Sequence, residues 1–170
     1  MQATRVIGID LGEVASHVAA IYDPAAHTWI RRQFRFHTQP TAVAKLVQTA
    51  RQHAEEAHLV AVMEATGMAW WPLASLLHQH GVRIYRLNGV QVKEFKKSLR
   101  RSGFSDRTDA QALALMYPQF THRTVPFTPP TPDQVGLQMA CRHYATLRDH
   151  CVATLNRLHT RDRAVWENRA

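Results

Sequence analysis

Apolar positions follow two rhythms along this chain. Val6-Ile7-Gly8-Ile9-Asp10 is an unbroken apolar run closed by a carboxylate, the pattern of a strand covered on both faces. Val18 to Tyr22 forms a second run, and Asp23-Pro24 marks a turn after it. From Thr28 to Phe36 large apolar residues (Trp29, Phe34, Phe36) are interleaved with basic ones, which predicts a third strand. Three strands joined by short turns predict an antiparallel meander. Pro40 then opens a helix to about residue 57, with Val43, Leu46, Val47 and Ala50 at helical spacing. His58 to Glu64 is a fourth strand, and it too ends on an acid.

Beyond it the rhythm keeps switching. Trp70 to His80 reads as a helix closed by Gly81 at the C′ position, and Val82 to Leu87 as a fifth strand. Asn88 is placed to cap a basic helix from about residue 89 to 101. Ser105 caps the next helix, whose apolar run is Ala110, Ala112, Leu113, Ala114, Leu115 and Met116 and which ends near Tyr117-Pro118. Residues 118–132 hold Pro126, Pro129, Pro130 and Pro132 and predict a stiff, extended linker. From Asp133 one long helix runs on, with Leu137, Tyr144, Cys151, Leu158 and Val165 recurring every seventh residue and Ala140 and Leu147 between them. That is a seam for another helix.

Strands alternating with helices predict an α/β layered domain over residues 1–117, followed by a linker (118–132) and an interaction helix (133–170). A meander followed by helix, strand, helix, strand, helix is the element order of the ribonuclease H-like fold, by analogy of order alone.

Composition narrows the partners. The chain has 170 residues, 45% of them hydrophobic, and a net charge of +8. With a pI of about 10.2, it points to polyanions, nucleic acid before an anionic membrane surface. No apolar run approaches the roughly 20 residues that cross a bilayer, and the N-terminus leads into a strand with no signal peptide pattern. Cys141 and Cys151 lie on one predicted helix, about 15 Å apart at 1.5 Å per residue, too far to bridge. A reducing, cytoplasmic setting follows. Eleven histidines are present. They form no His-Glu-x-x-His pair, and neither paired Cys-x-x-Cys nor a Gly-x-x-x-x-Gly-Lys loop occurs, so a zinc site and a P-loop are both set aside.

The acids carry the candidate chemistry. Asp10 and Glu64 each end a predicted strand, where neighbouring strands of a layered sheet reach one rim. Asp106 and Asp109 stand three apart at a helix start and share a face. Taken alone, such a pair serves the helix dipole. Together, four acids at one point repel unless a cation intervenes, and oxygen donors suit Mg²⁺ or Mn²⁺. Two such ions can activate one oxygen and stabilise another in phosphodiester displacement. Lys93, Lys96 or Lys97, Arg100 and Arg101 make a basic stripe that leads into this site, and a phosphate backbone lying on it would pass the metals. Trp70 and Trp71 could stack bases, although at a helix start core packing is the commoner role.

Ile7-Gly8-Ile9-Asp10, Met63-Glu64-Ala65-Thr66-Gly67 and Asp106-Arg107-Thr108-Asp109-Ala110 resemble, in order and spacing, the N-terminal domain of the DEDD transposases. These are insertion-sequence-110-type recombinases, with the Piv-type DNA invertases as relatives. Leu147-Arg148 and Asn156-Arg157-Leu158-His159 are similar to that family's arginine-rich segment, and the likeness extends from about residue 5 to 160. The resemblance implies a RuvC-like fold with Asp10, Glu64, Asp106 and Asp109 as catalytic metal ligands for Mg²⁺ or Mn²⁺. It also implies RNA-guided DNA recombination, with a structured bridge RNA and DNA as partners in a prokaryotic, nucleoid-associated setting. Lys93, Lys96, Lys97, Arg100, Arg101, Arg107, Arg148 and Arg157 are the expected nucleic-acid contacts, and the long helix the expected route to a homo-oligomer.

Two departures stand out. The family usually has a basic residue and threonine where this chain has Ser105. Its members are about twice as long, and a further C-terminal domain supplies the nucleophilic serine. This chain is therefore expected not to complete strand exchange by itself. Two other readings remain open on the residues alone. One is a nucleic-acid-binding relic with vestigial acids. The other is an actin-like kinase or ATPase fragment, because Gly8-Ile9-Asp10-Leu11-Gly12 also resembles that superfamily's first phosphate motif.

Overall fold

The computed structural model describes residues 3–12, 15–64, 70–98, 106–120 and 125–167, and for residues 106, 107, 120, 132 and 162–167 the backbone alone. The chain forms two compact units, Met1–Pro129 and Pro130–Ala170.

In the first unit the elements run β1 (Thr4–Asp10), β2 (His17–Asp23), β3 (Thr28–Phe36), α1 (Pro40–Ala50), β4 (His58–Glu64), α2 (Trp70–Gln79), β5 (Arg83–Leu87), α3 (Gly89–Ser98) and α4 (Asp106–Phe120). The strands form one sheet in the order β3-β2-β1-β4-β5. β1, β2 and β3 pair antiparallel as the meander predicts, whereas β4 and β5 join β1 in parallel. Parallel neighbours need crossovers, and α1 and α2 supply them.

Alternation along the strands divides the core between the two sheet faces. Ile7, Ile9, Ala61 and Met63 pack with Val43, Leu46 and Val47 of α1 and Leu73 and Leu77 of α2. Val6, Val60 and Val62, of the opposite parity, pack with Leu113, Ala114 and Met116 of α4 and Val92 of α3. The middle strands are thus buried on both faces, which is why they read as continuous apolar runs.

Local chemistry fixes the element ends. Gly81 sits at φ +74°. Val82 N–H donates to the Leu77 carbonyl at 3.1 Å and Gly81 N–H to that of His78 at 2.9 Å, the paired bonds of a Schellman stop. Asn88 caps α3 by accepting from Val90 N–H at 2.9 Å. Asp23 accepts from Ala25 and Ala26 N–H at 2.9 and 3.0 Å, and its other carboxylate oxygen meets the buried Arg5 guanidinium at 3.2 Å. One acid thereby shapes the β2–β3 turn and compensates a buried charge.

The ends of α1 and α4 differ from the sequence reading. α1 ends at Ala50 and not near 57, because the chain turns at residues 51–53 and His53 adopts φ +60°. α4 continues through Pro118 to Phe120, although the proline has no N–H to give the preceding turn. α3 is described to Ser98, and the expected stretch to Arg101 lies outside the described residues, as does the Ser105 cap. Past α4, Phe127 N–H donates to the Ile84 carbonyl at 2.7 Å, a single bridge on the β5 edge.

The second unit is the helix α5 (Pro132–Glu167), 36 residues long, or about 54 Å at 1.5 Å per residue. Thr131 Oγ1 accepts from Gln134 N–H at 3.3 Å, and Gln134 Oε1 accepts from Thr131 N–H at 2.9 Å. The sequence reading did not anticipate this reciprocal capping box. Seam residues Leu137, Tyr144, Leu147 and Leu158 are more than half exposed. Among the described residues no helix is long and apolar enough to cross a membrane.

β1 and α4 approach each other closely at Gly8. A Cβ on Gly8 would run into the carbonyl oxygen of Ala110 and the backbone nitrogen of Ala114, and would lie 3.0 Å from the Ala114 methyl. Helix backbone cannot yield as a side-chain tip does. We expect Gly8→Val to destabilise the fold by about 3 kcal/mol, the upper range for overpacking, measured from urea unfolding midpoints. A loss below about 0.5 kcal/mol would contradict so close an approach.

Candidate functional site

The candidate site lies at the rim where β1 and β4 end. The parallel register aligns Ile9 with Met63, so the next step brings Asp10 level with Glu64. Asp10 is in phase with Val6 and Gly8, and Glu64 with Val60 and Val62, so both acids project on the face that α4 covers. Both are half-buried. Asp109 immediately precedes Ala110, the residue whose carbonyl stands over Gly8. Asp10 and Glu64 therefore share one rim and one face, and Asp109 stands on the helix that covers that face. Asp106 opens α4 one turn earlier, and its side chain lies outside the described residues.

Neighbours set the environment of each acid. Gly89, at the start of α3, lies against Glu64: a Cβ there would stand 2.6 Å from Oε1 and the carboxylate tip would have to shift. Lys96 of α3 places Nζ 3.0 Å from Asp109 Oδ1, with only 16% and 20% of the two side chains exposed. Gln111 Nε2 donates to the Arg32 carbonyl at 3.1 Å and ties α4 to β3 next to the acid. Among the described residues no three His, Cys, Asp or Glu side chains are drawn together as a ready set of metal ligands.

The loop after Asp10 is held by a histidine. Gly12 N–H donates to His17 Nδ1 at 3.2 Å, and His17 Nε2 lies 2.7 Å from Thr38 Oγ1. A backbone N–H can only donate, so Nδ1 carries no proton, and the neutral ring presents Nε2–H to the threonine. Burial pushes the His17 pKa below its usual 6.5, and the nearby His37 adds to the effect.

The basic residues separate into groups. Lys93 and Lys97 are exposed at i and i+4 on α3, while Lys96 between them is half-buried on Asp109. Arg100 and Arg101 lie outside the described residues, as does the Arg107 side chain. Arg148 and Arg157 are exposed on α5 in the second unit, Arg148 within 2.9 Å of Asp149. The Trp70 ring is engaged within the fold: Arg86 lies 3.8 Å above its centroid and Phe127 packs edge-on at 5.1 Å. Sequence reasoning missed Gly89 and the tie from Gly12 through His17 to Thr38. A glycine opening a helix and a histidine starting a strand give no signal until the fold pairs them.

A profile of DEDD transposases of the insertion-sequence-110 type, described as transposase, matches residues 7–161. Among solved structures, Thermus thermophilus RuvC in complex with a Holliday junction substrate aligns with a TM-score of 0.51 at 16% identity, covering 73% of this chain and 99% of that one. A second Thermus thermophilus RuvC structure aligns at 0.48 with 16% identity, covering 73% and 100%. The first likeness shows a RuvC-like fold. No curated protein matches at a significant level.

The His17 tie has a pH signature. The unfolded imidazole protonates near 6.5 and the folded one only at lower pH, so below 6.5 the unfolded chain binds more protons. The stability that neutral His17 contributes is complete above about pH 6.5 and is lost as pH falls from there through the folded value. Comparing urea midpoints at pH 7.5 and pH 5 should show a smaller loss in His17→Gln than in the unaltered chain. Equal losses would place the titration elsewhere.

Proposed function

Since the chain belongs to the DEDD transposases of the insertion-sequence-110 type, we propose that its first unit is the metal-dependent catalytic domain of a DNA transposase guided by a structured bridge RNA. The observation that carries the reading is the register that sets Asp10 beside Glu64 on the face crossed by the Asp109 helix.

The donor set fits a hard divalent cation. Asp10, Glu64, Asp106 and Asp109 offer oxygen only, which suits Mg²⁺ or Mn²⁺. When bound, such ions supply Lewis-acid activation of phosphodiester oxygens. The chain's own contribution is to hold the acids at one rim, with Gly89 leaving room for Glu64 and the His17 tie steadying the loop after Asp10. Exposed Lys93 and Lys97 support a phosphate backbone passing along α3, and exposed Arg148 and Arg157 support a second nucleic-acid contact on α5. The uncovered seam of α5 supports pairing with the same helix of a second copy. Family membership favours this reading over an actin-like fragment, and in this fold Gly8 is taken up by helix packing.

Two measurements test it. Mn²⁺ should raise the melting temperature of the folded chain, by the equivalent of about 2.7 kcal/mol at a hundredfold excess over Kd, and Asp109→Asn should lose most of that gain. An identical response in both proteins would remove Asp109 from the site. For nucleic acid, changing Lys93 and Lys97 together to Ala should flatten the plot of log affinity against log salt by about 1.4–1.8, at roughly 0.7–0.9 for each phosphate no longer neutralised. An unchanged slope would move the nucleic-acid path away from α3.

A further inference from the structure

The Lys96–Asp109 pair has a role beyond packing. Lys93 and Lys97 point to solvent, yet Lys96 on the same helix lies back against a carboxylate at 3.0 Å. Its ammonium therefore stands where a bound cation would have to compete for Asp109. Lysine suits a displaceable partner: its charge is a compact point on a flexible four-carbon stem, without the planar fork that fixes arginine on a carboxylate. The exposed lysines on either side mark where a phosphate chain would come close enough to offer Lys96 another anion.

We propose that Lys96 is an internal counter-ion that occupies Asp109 in the resting chain and is drawn off by a nucleic-acid phosphate, so that nucleic acid opens the carboxylate to the divalent ion. The inference rests on the metal-site reading above. Coupling of this kind is reciprocal: if nucleic acid tightens metal binding, metal tightens nucleic-acid binding by the same factor. In the resting chain Lys96 lowers metal affinity, because the ion must displace the ammonium from Asp109.

The test is Mn²⁺ binding to the full chain, read from the electron paramagnetic resonance signal of free Mn²⁺, with and without a short mixed-sequence DNA duplex. Without DNA, Lys96→Met should bind Mn²⁺ about fivefold tighter than the unaltered chain, the scale of a partly screened ion pair. After subtraction of the Mn²⁺ taken up by the duplex alone, adding the duplex should tighten binding in the unaltered chain and leave Lys96→Met unchanged. Lys96→Arg keeps the charge and should bind Mn²⁺ no tighter than the unaltered chain, and Lys45→Met, exposed on α1, should change it less than twofold. Circular dichroism melts confirm that each variant is folded. Unchanged or weaker Mn²⁺ binding in folded Lys96→Met would overturn the proposal, and so would an equal gain in Lys45→Met, which would reflect general charge. A tighter Lys96→Met whose response to the duplex matches the unaltered chain would overturn the gating. Absence of Mn²⁺ binding in every protein, with or without DNA, would instead break the metal-site reading itself.

Discussion

Helix α4 lies on strand β1 with backbone against backbone, and this contact governs where the acids end up. At Gly8 there is no side chain to hold the helix off, so the Ala110 carbonyl and the Ala114 nitrogen come down onto the strand. Ala110 also packs on Val18 and Ala20 of β2. Small residues on both surfaces thus bring α4 close to the two central strands. Interiors packed at crystal-like density transmit such a constraint. Asp109 inherits its place from Ala110, just as Asp10 inherits its own from lying two residues beyond Gly8 on the same face.

Much of this arrangement is legible in the sequence. β3 and β4 begin and end at the predicted residues because their limits are chemical: a turn before Thr28, an acid at Glu64. All four positions picked out in the first helix, Val43, Leu46, Val47 and Ala50, are buried. Two of the predicted caps, Asn88 and Gly81, act as caps. What escapes the sequence is long-range. Nothing in Lys93-Glu94-Phe95-Lys96-Lys97 separates the paired lysine from the exposed ones, since the spacing of i, i+3 and i+4 lets each join one stripe. The separation comes from Val92 and Phe95, which anchor α3 to the sheet face of Val62 and Leu87 and turn Lys96 inward. Gly89 is similarly mute until β4 sets Glu64 against it.

The early end of α1 has a related cause. Local propensity allows helix to about residue 57, but a parallel β4 must begin beside β1. His58 N–H donates to the Ala3 carbonyl at 2.7 Å, and the chain needs residues 51–57 to return to that point. Sheet pairing therefore prevails over helical preference, as tertiary context commonly does.

Charge is divided in the same manner. A surplus of +8 spread evenly would give a basic surface with no address. In the first unit, Asp10 and Glu64 end β1 and β4 at one rim, and α3 packs on the same sheet face, with one lysine turned to Asp109 and two to solvent. Carboxylates held together repel, and an unpaired cluster would oppose folding. The Lys96 ammonium at 3.0 Å offsets the charge of one of these acids, Asp109. A pair with about a sixth of the lysine side chain exposed is still reached by water and by competing ions. Its strength is therefore moderate, the range in which a competing anion can draw the ammonium away from the carboxylate.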